Sequence, residues 1–72
     1  MDCPVCDSKE VYYFKSEGTY KQFRLDQNGE LMHPAVFIAQ EEYPGENLVK
    51  CVECETTFNY KKVGDRINID KN

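Results

Sequence analysis

Two Cys-x-x-Cys pairs, Cys3-Pro4-Val5-Cys6 and Cys51-Val52-Glu53-Cys54, constrain this chain more than any other feature. A Cys-x-x-Cys turn brings two sulfurs onto one side of a tight loop. A second such turn facing the first completes the tetrahedral all-sulfur shell that Zn2+ prefers. Four soft thiolates leave no position for water or substrate, so such a site is structural rather than catalytic. The expected ligands of one structural Zn2+ are Cys3, Cys6, Cys51 and Cys54.

Three other uses of the cysteines compete with this one. A disulfide framework needs an oxidising compartment, and Met1-Asp2-Cys3 shows no apolar leader, so the chain is expected in the cytoplasm. A disulfide within a Cys-x-x-Cys pair would also close almost no loop and constrain little. Cys-Pro-Val-Cys resembles the dithiol of glutaredoxins, but that motif follows a strand and opens a helix, and here only Met1 and Asp2 precede Cys3. Iron in a rubredoxin-like site uses the same four-cysteine shell, and the ligand set alone does not exclude it. Rubredoxins usually place Gly after the second cysteine of each pair, where this chain has Asp7 and Glu55, and their interval between pairs is shorter.

Seventy-two residues make one domain, 1–72, in which a hydrophobic core alone is marginal. A bound metal is the expected staple, because structural zinc contributes on the order of 10–16 kcal/mol of apparent binding free energy. The chain is acidic, with a formal charge of −4. That charge falls to about −6 when four thiols become thiolates on one Zn2+. Nucleic-acid affinity comes largely from Lys and Arg neutralising phosphates, so this sign weighs against a dedicated nucleic-acid binder. No stretch reaches membrane-spanning length, so no membrane partner is expected.

Strand-forming residues dominate the rest. Val11-Tyr12-Tyr13-Phe14 reads as a strand ended by Ser16-Glu17-Gly18, and Tyr20 to Asp26 alternates, with Phe23 and Leu25 on one face and Gln22 and Arg24 on the other. Asn28-Gly29 predicts a type I′ hairpin, with Glu30-Leu31-Met32 starting the returning strand. Between Pro34 and Tyr43, helix-tolerant and strand-forming residues mix; extended structure is expected, because Glu41 and Glu42 would sit at the unfavourable C-terminal end of a helix. Leu48-Val49 lead into the second cysteine pair, Thr56 to Tyr60 reads as a strand, and Gly64-Asp65 turns it back to Ile67 and Ile69. The sum is an all-β antiparallel meander. With its Cys-Pro-x-Cys, Asn-Gly hairpin and Leu-Val-Lys-Cys-x-x-Cys before an aromatic strand, the chain resembles the zinc ribbon superfamily over nearly its whole length. Small ribbons of this outline are common in prokaryotic and phage proteins and in transcription machinery. The resemblance implies two metal-binding knuckles and a role beside transcription or nucleic-acid machinery.

Several residues have a functional and a plain reading. Lys9 and Lys50 could offset the charge of a zinc tetrathiolate or be ordinary surface lysines. His33 could be a further ligand, but four cysteines already fill the shell. Nine aromatics exceed what one small core easily hides. Either some are exposed for a partner or the segment from Pro34 to Tyr43 folds over them. Lys15, Lys21, Arg24, Lys61, Lys62 and Arg66 could gather into a single-strand stacking platform or form a solvated face. With no Ser/His/Asp set and no Gly-rich phosphate loop, neither an enzyme nor a small-molecule substrate is expected. The expected function is a non-enzymatic zinc-binding adaptor for a larger protein. The alternatives are a nucleic-acid-binding ribbon and a rubredoxin-like electron carrier.

Overall fold

β-branched and aromatic residues set out the strands of a computed structural model that describes residues 1–70; the last two positions of the expected 1–72 domain lie outside the described residues. The strands are β1 (Val11–Glu17), β2 (Thr19–Arg24), β3 (Val36–Phe37), β4 (Leu48–Cys51), β5 (Thr57–Val63) and β6 (Arg66–Asp70). All pair antiparallel in the order β3-β2-β1-β4-β5-β6. This is not one continuous meander. Two three-stranded meanders, β1-β2-β3 and β4-β5-β6, join through the pairing of β1 with β4, which aligns Val11 with Cys51 and Tyr13 with Val49.

The expected alternation in β2 holds: Phe23 is buried, Arg24 is exposed, and Leu25 just beyond the strand is buried. One face of the sheet carries the core of Val11, Tyr13, Phe23, Leu25, Leu31, Val49 and Ile67, continuous with Cys3 and Cys51. Removing a Leu, Ile or Phe side chain from water contributes roughly 1.5–3 kcal/mol. Only a few such residues are fully enclosed, as expected at this chain length.

The Asn28-Gly29 turn forms, but not as type I′. Gly29 has a positive φ of 82°, whereas Asn28 does not lie in that region. Asp26 organises the loop instead: its carboxylate accepts from the N–H groups of Asn28 (2.8 Å) and Glu30 (3.0 Å), and its carbonyl accepts from Gly29 N–H (3.0 Å). An Asp side chain that captures downstream amides outcompetes the two-residue turn. Gly29 meets a second requirement, because a Cβ there would fall 2.3 Å from the Ile67 carbonyl oxygen.

Glu30-Leu31-Met32 forms isolated bridges rather than a regular strand, and these bridges close the fold. Leu31 pairs with Leu25 and Glu30 with Arg66. Met32 N–H donates to Arg24 O (2.8 Å), Leu31 N–H to Asp65 O (2.8 Å) and Ile67 N–H to Gly29 O (2.7 Å). The segment therefore laces the end of β2 to the start of β6. The pairings make a closed ring, β1-β2-(29–32)-β6-β5-β4, around Leu25, Leu31 and Ile67. The region from Pro34 to Tyr43 is a strand at Val36–Phe37 and stays extended at Ala39 and Tyr43, with a single 3-10 turn at Gln40–Glu42 between them. No helix among the described residues is long and apolar enough to cross a membrane.

Candidate metal centre

Each cysteine pair occupies a turn of the same build. In the first, Cys3 N–H donates to Ser8 O (2.7 Å) and Asp7 N–H to Cys3 O (2.9 Å); in the second, Cys51 N–H donates to Thr56 O (2.9 Å). The residue after the second cysteine has positive φ in both, 61° at Asp7 and 60° at Glu55. That is the left-handed conformation for which glycine is usual. Asp7 and Glu55 thus depart from the Gly of such turns in residue type but not in backbone conformation.

β1 positions the two turns against each other. Its first residue, Val11, pairs with Cys51 at the end of β4, and Val52 N–H donates to Glu10 O (3.0 Å), so the chain leaving the first turn lies beside the second. All four sulfurs lie within 4.8 Å of one another. Cys3 Sγ is 3.7 Å from Cys54 Sγ, and Cys6 Sγ is 3.6 Å from Cys51 Sγ. A tetrahedral site with metal–sulfur bonds of about 2.3 Å has sulfur–sulfur edges of about 3.8 Å, so the cluster needs little adjustment to enclose one ion. All four are free thiols; Cys3 and Cys51 are buried, Cys54 is half-buried and Cys6 is exposed. The closest sulfur pairs join one turn to the other, so an ion there would clamp the two turns together.

The thiols do not titrate alike. Hydrogen bonding with the Thr56 hydroxyl, 3.2 Å from Cys54 Sγ, and with the Thr56 backbone holds the Cys54 thiol down to about 6. A backbone hydrogen bond from Ser8 pulls the Cys6 thiol down as well. Desolvation and hydrogen bonds with Cys54, Cys51 and Cys3 outweigh it and push Cys6 up to about 12. Four thiols crowded into one space cannot all ionise without a cation among them. A divalent ion held there would supply that cation, and its binding would release the protons.

The other candidates lie apart from the sulfurs. His33 packs edge-on to Phe23, with its Nε2 3.6 Å from an Asp65 carboxylate oxygen, and is outside the cysteine cluster. Lys50 Nζ is 3.9 Å from Glu55, so it faces the second turn's acidic residue, while Lys9 is exposed. The six basic residues do not converge as a group. Lys15 and Lys21 are directly cross-strand, and Lys62 shares their face of the sheet, alternating from Phe58 and Tyr60. Arg24 faces the other way and lies 3.7 Å from Glu10, and Lys61 and Arg66 lie on the opposite face from Lys62.

Most of the aromatic surplus is packed away. Tyr13 stacks on Phe23 and meets Tyr60 edge-on, and Tyr43 tilts against Tyr20 at 4.8 Å, so part of the segment from Pro34 to Tyr43 does fold over the aromatics. Phe37 is the exception, 70% exposed beside the 54% exposed Val36. Sequence reasoning missed Ser8 and Thr56. Their signal was present: Cys6-Asp7-Ser8 and Cys54-Glu55-Thr56 repeat one pattern of cysteine, acid and hydroxyl. Compared with protein-family models, with curated proteins and with solved structures, the chain finds no match.

Proposed function

We propose that this chain is a zinc-ribbon protein in which Cys3, Cys6, Cys51 and Cys54 hold one structural Zn2+, and that it works in the cytoplasm as a non-enzymatic interaction module for a larger protein, beside transcription or nucleic-acid machinery. The observation that carries the reading is the closed set of four sulfurs, all within 4.8 Å, presented by two turns of matching backbone conformation. The paired hydrogen bonds from Cys3 N–H and Cys51 N–H favour two zinc knuckles over an incidental cluster. Zinc favours such a shell because it takes four thiolates in a tetrahedron with no redox chemistry of its own. Four protein ligands leave the ion no site for substrate, so the function falls to the surface that the metal holds in shape.

Native mass spectrometry with elemental analysis, before and after chelation, tests this reading alongside circular dichroism. The expected result is one zinc per chain, with loss of the sheet when it is removed. Bound iron with a reducible visible spectrum would move the protein to the rubredoxin-like reading. A sheet that persists unchanged without metal would remove the structural role.

A further inference from the structure

The inner face of the sheet runs from the sulfurs at one end to a cluster of ammonium groups at the other. On β1, Val11 lies opposite Cys51, Tyr13 and then Lys15 follow, and Glu17 ends the row. Lys21 is directly opposite Lys15 on β2, and Phe37 directly opposite Lys21 on β3, where Lys21 Nζ lies 5.8 Å from the Phe37 ring centre. Lys62 belongs to the same face through β4 and β5. One carboxylate stands among them. Glu17 is 2.7 Å from Lys15 Nζ, and its carboxyl is held below the usual range by Lys15 first, with Lys21 and Lys62 adding to the effect. Among the strand residues of this face, three ammonium groups thus stand against one carboxylate, on a protein whose formal charge is −4.

β3 is also an edge strand. Ile38 N–H donates to Tyr20 O (3.0 Å), so Ile38 and Tyr20 form the hydrogen-bonded pair of the ladder, and Phe37 with Lys21 the non-bonded one. In an antiparallel ladder these alternate, and the N–H and C=O of a non-bonded residue turn away from the partner strand. Phe37 therefore turns a backbone donor and acceptor outward along the edge that carries its exposed ring. An exposed edge is a template for a further strand.

From these features we infer that the β3 edge, with Phe37, Lys21, Lys15 and Lys62, docks an extended acidic segment of a partner protein by strand addition. Backbone pairing at Phe37 sets the register, apolar side chains of the segment cover the Phe37 ring, and its carboxylates face Lys21 and Lys62. This rests on the interaction-module reading and names the partner's chemistry. Single-stranded nucleic acid fits less well. Tyr60 packs against Tyr13, which leaves Phe37 as the exposed ring for stacking, and the charge of the whole chain opposes a polyanion.

The test is fluorescence anisotropy of the metal-loaded protein with a labelled short peptide of Glu-Thr-Val-Thr repeats, which places Glu and Val on one strand face, a Lys-Thr-Val-Thr counterpart, and an oligo-dT of similar length. The acidic peptide is expected to bind in a salt-sensitive manner and the Lys peptide not to bind. Lys21→Glu and Phe37→Ala are each expected to weaken binding about tenfold. Lys61→Glu, on the opposite face, should leave it unchanged. Circular dichroism of every variant, with metal bound, separates lost binding from lost folding. Stronger binding of oligo-dT, peptide binding indifferent to Lys21 and Phe37, or no binding at all would each overturn the proposal. None of these results bears on the metal content, so the zinc-ribbon reading stands or falls by its own experiment.

Discussion

The two ends of the inner sheet face are built on opposite principles, although the same strands run through both. At the sulfur end, Cys3 and Cys51 are fully buried and both cysteine turns are closed by backbone hydrogen bonds. At the lysine end, Phe37 stands exposed on a two-residue strand and an ion pair between Lys15 and Glu17 lies at the surface. Surface ion pairs contribute little, typically about 0–1 kcal/mol. A structural metal contributes on the order of 10 kcal/mol. With an ion held by the cysteines, that difference would let so small a domain leave apolar side chains uncovered, one end supplying stability and the other presenting surface.

Removing the clamp is the largest perturbation of that contrast. Cys51→Ser deletes a buried thiol of the four-cysteine cluster at the junction of β1 and β4 and is expected to abolish both metal binding and the folded sheet, because the loss, on the order of 10 kcal/mol, exceeds what such a domain holds in reserve. Elemental analysis with circular dichroism reads both losses. A folded Cys51→Ser protein would show that the core alone suffices and that the two ends are less unequal than described. Next comes Gly29→Ala, which leaves the cysteines untouched. The added Cβ meets the Ile67 carbonyl at 2.3 Å in a backbone region costly for alanine. The expected destabilisation is about 3 kcal/mol, combining roughly 1–2 for the conformation with overpacking of similar size. For a chain this short the melting temperature should fall by some 12–24 °C, at roughly 4–8 °C per kcal/mol.

These two sites also mark what could be read in the chain. The cysteine pairs were legible because a metal shell needs particular atoms at particular spacings, and the strands because their residues alternate. The pairing of β1 with β4 was not, since nothing local distinguishes it from a simple meander; it follows from bringing two turns far apart in sequence to one point. The type I′ reading of Asn28-Gly29 failed because the Asp26 carboxylate, two residues upstream, captures the amides of Asn28 and Glu30. The lysine end was half legible. Six basic residues were in view, but only strand register could sort Lys15, Lys21 and Lys62 onto one face and Arg24, Lys61 and Arg66 elsewhere.

Smaller changes sharpen the comparison within the sulfur end. Glu55 and Asp7 both hold positive φ, a conformation that costs most side chains roughly 1–2 kcal/mol. Glycine removes that strain but adds about 0.5–1 kcal/mol of backbone entropy loss. Glu55→Gly is therefore expected to stabilise the metal-loaded protein by about 0.5–1 kcal/mol. Asp7→Gly should gain less, because a short Asp side chain tolerates the left-handed region. The surface pair of Glu55 with Lys50 is too exposed to reverse the sign. Urea denaturation midpoints at saturating metal would rank the two, and equal shifts would mean that the turns differ in more than this residue.

The smallest expected effect lies midway between the ends, at Tyr13. Burial, and then the neighbouring Tyr60, push its phenol up to about 12 from an ordinary value of 10. A folded-state pKa raised above the unfolded one gives stability that is fully present below pH 10 and is lost as the pH rises towards 12, because the unfolded chain releases the proton first. Tyr13→Phe has no proton to lose. It should match the parent protein's pH dependence at neutral pH and decline less steeply between pH 10 and 12 in denaturation midpoints measured with metal bound. The ring contacts to Phe23 and Tyr60 remain available to phenylalanine, so the neutral-pH stability should change little. If the two proteins lose stability in parallel above pH 10, the alkaline weakness belongs to other groups, and the middle of the sheet is no more buried for a phenolate than the lysine end is for an ammonium.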